Sequence, residues 1–194
     1  NLFVKYGKTD LLLQLEPLKK REPLARKLLE FDYRIQLASL DNIKSKSSEL
    51  LNAISKELET VTSPIDRLLL ESISQLPRRI AKRENNVLAA LCVCGFYIDS
   101  GMYNNATLAS YDVMIDYVAG IYNLKGDSET NSNFIKQLFI ALKSLGKYRE
   151  IGSKMEKLRN IRNSFAHTSM NTDDTILKVN SVKELYNFVR ITIE

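Results

Sequence analysis

Apolar residues recur at three- and four-residue spacing along most of this chain, and strand-like alternation is scarce, so the pattern predicts one helix after another. The first third is expected to hold helices over residues 10–18, 23–39 and 41–60, with Pro23 in a first turn, where its missing N–H costs nothing. After the Thr62-Ser63-Pro64 break a helix is expected over 65–76, ended by Pro77, and then a long one over 78–100. A second long helix follows Gly101 and runs to about 124, with Leu108, Tyr111, Ile115, Val118, Ile121 and Tyr122 at helical spacing. The most polar stretch, 125–133, reads as a loop. Helices over 134–145, 153–166 and 181–193 complete the set, the last opening with Ser181 and Glu184 in a capping-box arrangement. The expected fold class is all-α, an antiparallel helical bundle behind an N-terminal helical spacer.

At 194 residues, with 44% hydrophobic and 26% charged positions, the chain is long enough for a sizeable core and ordinary for a globular protein. Cys92 and Cys94 stand two apart in a run that is apolar on nearly every side. That spacing points them to different sides of a buried helix, so they form neither a disulfide nor, with one histidine in the chain, a zinc quartet. No cofactor and no metal is expected. No run of about 18 apolar residues suggests a membrane span, and the expected location is cytoplasmic.

The net charge of +5 is mild, but it is concentrated. Between Lys136 and His167 eight basic residues (Lys136, Lys143, Lys147, Arg149, Lys154, Lys157, Arg159, Arg162) meet two acids, Glu150 and Glu156, an excess of +6. Such a window suits a polyanion, although a solvated helix face with its own ion pairs carries the same count. Arg78-Arg79 with Lys82-Arg83 forms a second cluster, read mainly as solvated surface.

The candidate chemistry sits where that window ends, in Leu158-Arg159-Asn160-Ile161-Arg162-Asn163-Ser164-Phe165-Ala166-His167, which holds the chain's one histidine. Arg162 offers a fixed cation for phosphate, Asn163 a hydrogen-bonding amide and His167 a base that titrates near neutral pH. On an unbroken helix Arg162 and His167 would lie about 140° apart, while Asn163 and His167 would share a face. The helix is therefore expected to end near His167, where the polar run 168–174 begins. A histidine at that position also serves as a helix C-terminal cap.

This run resembles the signature of HEPN ribonucleases, and its Arg-Asn-x-x-Ala-His flavour is similar to the CRISPR-associated ribonucleases of type III systems. The likeness is strong over about fifteen residues and diffuse over 77–194; residues 1–76 match only as a helical spacer. It implies a metal-independent endoribonuclease acting on single-stranded RNA through a site composed across a homodimer. Arg162, Asn163 and His167 would be the catalytic set; Arg159 matches no motif position, and with Lys157 and Lys154 it is expected to help bind RNA as part of the basic window. The resemblance also implies a nucleotide-sensing CARF domain ahead of the HEPN part, and no CARF-like alternation of strands and helices is present. A chain that opens at Asn1 without an initiator Met is expected of a fragment, a processed chain or a numbering choice. Two alternatives stand beside this reading. One is a HEPN toxin of a toxin–antitoxin pair, and the other a non-catalytic helical module that binds nucleotide or protein.

The chemistry also asks for two chains. Cleavage by a ribose 2′-OH needs a base, an acid and cationic help for the phosphorane, and one chain supplies a single imidazole. A two-fold dimer doubles the set at one cleft.

Overall fold

The structure is a computed structural model that describes residues 22–125, 128–166 and 172–194, and within these not the side chains of 128, 129, 165, 166 and 172–177. Among the described residues the fold is all-helical. The chain divides into two compact units, Asn1–Phe96 and Tyr97–Glu194, the division falling inside a helix.

In the first unit, α1 (Glu22–Gln36), α2 (Ile43–Thr60) and α3 (Pro64–Ala81) pack in chain order, α2 against both of the others. Each buries one stripe: Leu24, Leu28, Phe31 and Ile35 on α1, Ile43, Leu50 and Ile54 on α2, Leu70, Ile73 and Ile80 on α3. The helix expected at 10–18 lies outside the described residues.

Two expectations fail here. Pro77 does not end α3, which runs four residues further. Proline in a helix interior costs about 3 kcal/mol or more through its missing N–H and the clash with the preceding turn. Here the ring lies on the buried face with Ile73, Leu76 and Ile80, and that packing holds the helix together. Nor is there one helix over 78–100. The chain breaks after Ala81 and restarts as α4 (Asn86–Asp99) because Asn85 caps it, its Oδ1 accepting from the Leu88 N–H at 2.9 Å. Asn86 then accepts from the Lys44 N–H and donates to the Leu40 carbonyl, which ties the α1–α2 connection to the start of α4. Cys92 and Cys94 are buried free thiols on α4.

The second unit opens at the end of α4, where Gly101 takes φ +72°, a backbone region open to glycine at little cost. The Met102 N–H bonds the Tyr97 carbonyl and the Gly101 N–H that of Ile98, the paired bonds that close a helix with a left-handed residue. Asn123, at φ 47°, ends α5 (Tyr103–Ile121) in the same way, short of the expected 124. α5 is the central element, in contact with α6 (Ser128–Ser144), α7 (Arg149–Ala166) and α8 (Thr172–Ile193). Tyr111, Ile115 and Val118 are buried on it, whereas Ile121 and the following Tyr122 are exposed.

Three boundaries differ from the sequence expectation. From Ser128 the polar stretch expected as a loop to 133 belongs to α6, because the packed apolar face of that helix, Ile135 and Phe139, outweighs the weak helix propensity of Ser, Thr and Asn. α7 begins at Arg149, directly after a 3-10 turn at Gly146–Tyr148. Ser181 does not cap the last helix; it lies inside α8, whose stripe Val182, Leu185 and Val189 runs through the expected cap.

Candidate functional site

The site elements converge because α6 and α7 touch backbone to backbone. A Cβ on Gly152 would meet the Lys143 nitrogen and the Phe139 carbonyl oxygen, each at 2.6 Å, so only glycine permits that approach. From there the inward stripe of α7 runs Gly152, Met155, Leu158 and Ile161, all buried. At about 100° per residue Arg159 lies about 40° from Met155 round the helix and Arg162 about 20°. Both arginines are half-buried.

Tyr111 receives them. The Arg162 guanidinium carbon lies 5.4 Å from the centre of its ring, a cation–π distance. Burial pushes the Tyr111 phenol above its ordinary value, with Arg159 and Arg162 drawing it back and Asp112 adding to the rise. Arg159 also lines a cleft of about 110 Å³ with Tyr111, Lys136, Phe139, Ile140, Lys143, Gly152, Met155 and Glu156. Lys143 and Glu156 form an ion pair beside it, and that bond holds the Glu156 carboxyl below its ordinary range. Neither Arg159 nor Arg162 has a carboxylate ion-pair partner among the described residues.

The lysines of the same helix face elsewhere. Lys154 pairs with Glu150 at 2.8 Å and sits 4.8 Å from the Phe188 ring centre, and Lys157 lies 3.7 Å from a Glu184 oxygen. Phe188 and Glu184 belong to α8. Round the helix, Lys154 and Lys157 are about 140° and 160° from Arg159. The three expected RNA-binding residues thus occupy two flanks of α7, and the basic window is not one surface. Arg78, Arg79, Lys82 and Arg83 are all exposed in the first unit.

Of the expected catalytic set, Arg162 is brought over Tyr111, and Asn163 is exposed beside it. His167 lies outside the described residues, as does the expected helix end at that position; α7 is described to Ala166. Sequence reasoning missed Tyr111, which helical spacing marked only as core, and Gly152. It also missed the cleft, although Lys136 with Lys143 and Gly152 with Arg159 are each seven apart, the spacing of one helix face.

Among the described residues no three His, Cys, Asp or Glu side chains gather as a metal site, and no helix is long and apolar enough to cross a membrane. Comparison with protein-family models, curated proteins and solved structures returns no match.

Proposed function

We propose that this chain is a metal-independent endoribonuclease of the HEPN type, a helical bundle acting as a homodimer on single-stranded RNA in CRISPR-linked antiviral defence. The observation that carries this reading is the state of Arg162. Its guanidinium is held against Tyr111 by a ring face, which leaves its N–H donors unclaimed by any carboxylate among the described residues, in the sequence context Arg-Asn-x-x-x-His. A cation that is oriented and unneutralised is what a scissile phosphate requires.

In the proposed reaction His167 of one chain takes the proton from the ribose 2′-OH, and the oxygen attacks phosphorus. The partner's His167 protonates the departing 5′-oxygen. Arg162 carries the charge of the phosphorane, Asn163 orients it or an imidazole, and Arg159, Lys157 and Lys154 hold the neighbouring backbone. The P–O5′ bond breaks as the P–O2′ bond forms, leaving a 2′,3′-cyclic phosphate and a 5′-OH.

RNA incubated with the protein in EDTA should give those two ends, and His167→Ala should abolish cleavage with the helical circular dichroism unchanged. Strict Mg²⁺ dependence, or cleavage by His167→Ala at the wild-type rate, would reject the assignment. The packing of Arg162 on Tyr111 also favours a second reading, a non-catalytic module that binds nucleotide or protein. RNA bound tightly but never cut would select it.

A further inference from the structure

We propose that the cleft between α6 and α7 accepts one nucleotide of the RNA strand, its base against Phe139, Ile140 and Met155 and its phosphate on Arg159 and Lys136. This rests on the ribonuclease reading and names the subsite that positions the substrate. Three observations carry it.

Charge selects an anion. Lys136, Lys143 and Arg159 line the cleft against one carboxylate, Glu156, which Lys143 already neutralises. Two cations remain, one on each helix. Lining selects a flat, partly apolar body, because Phe139 and Met155 are nearly covered while Ile140 is half exposed at the mouth. Size limits the occupant: about 110 Å³ is well below the roughly 300–1,000 Å³ of pockets for drug-sized ligands, which favours a single small ring over a larger body. Tyr111 fixes the location, for it lines this cleft and its ring also lies under the Arg162 guanidinium. A nucleotide in the cleft is therefore next to the proposed scissile phosphate.

The test uses the full chain with a 2′-fluoro oligouridylate bearing one 4-thiouracil, which cannot cleave. Irradiation should link the base to peptides containing Tyr111, Phe139 or Met155. Ile140→Trp, which fills the mouth from a half-exposed position, should remove those adducts and weaken binding about tenfold, the scale of one lost base stack. Lys136→Glu, on the rim, should weaken it as well, and uridine monophosphate at equal concentration should not displace the strand. Adducts only elsewhere, with both variants binding at wild-type affinity, overturn the subsite and leave the ribonuclease reading standing. Full displacement by uridine monophosphate overturns the assignment to RNA in favour of a free nucleotide. A wild-type chain that binds no RNA overturns both readings.

Discussion

On one flank of α7, Lys154 and Lys157 face α8, each with a carboxylate beside it, and Lys154 also covers the Phe188 ring. On the other, Arg162 lies over the Tyr111 ring of α5 and Arg159 lines an open cleft with the same tyrosine, and no described carboxylate forms an ion pair with either. The four cations lie within nine residues, and charge counting treats them alike. What separates them is helical phase: 159 and 162 follow the buried stripe, whereas 154 and 157 fall behind it. Exposed lysine–carboxylate pairs are weak and exchange readily, so the lysine flank is a solvated face whose pairs an RNA strand would have to displace. The arginine flank is partly desolvated, and in the proposed reaction a phosphate would meet cations already oriented there.

Arg162→Ala should break the comparison most severely. Losing a donor to developing negative charge costs about 10²–10³-fold in rate, while loss of the ring contact removes about 0.5–2 kcal/mol of stability. Cleavage kinetics beside urea unfolding separate the two effects, and a variant less stable yet cutting at the full rate would make Arg162 a packing residue. Gly152→Ala comes next. Its Cβ would press on backbone atoms of Phe139 and Lys143 with no flexible side chain to yield, so a stability loss of about 1–3 kcal/mol or more is expected in urea. Equal stability would mean that α6 and α7 can part without cost.

Salt dependence sharpens the comparison further. Each phosphate contact on a single strand contributes a slope of about 0.7 in log affinity against log salt. Arg159→Ala should lose that amount, and Lys154→Ala and Lys157→Ala less, because their carboxylates compete. Equal losses would erase the distinction between the flanks.

The smallest effect is acidic. Lys154 beside Glu150 and Lys143 beside Glu156 each hold the carboxyl below its ordinary 4.5. A carboxyl whose folded value is depressed stabilises fully above its unfolded value and loses that contribution as pH falls through the folded one. Both should titrate below pH 4.5 by carboxyl-carbon NMR, and Lys143→Ala should return Glu156 alone toward its ordinary range.

Helical class was legible because apolar spacing repeats in every segment, and the inward stripe of α7 follows from the same periodicity. Boundaries were legible only where local chemistry decides them. Gly101 supplies a left-handed end that is visible in the sequence; Asn123 ends α5 in the same conformation and Asn85 caps the start of α4, but asparagine also occurs in helix interiors. Pro77 and Ser181 misled for the opposite reason, since a strong local signal was overruled by burial that only the packed helices create. Candidate site residues on α7 were legible as a run of types. Their division into two flanks was not, because it depends on which neighbour lies at each side: Tyr111 is 51 residues from Arg162 in sequence (162 minus 111), and no local pattern joins them.

In the proposed enzyme two chains share one cutting site built on Arg162 and His167. Mixing tests it most directly: wild-type chains are combined with a rising excess of His167→Ala chains under conditions of free exchange, at constant total protein, and RNA cleavage in EDTA is followed. A shared site predicts that activity tracks the wild-type homodimer, falling as the square of the wild-type fraction. Activity linear in wild-type chains would contradict it.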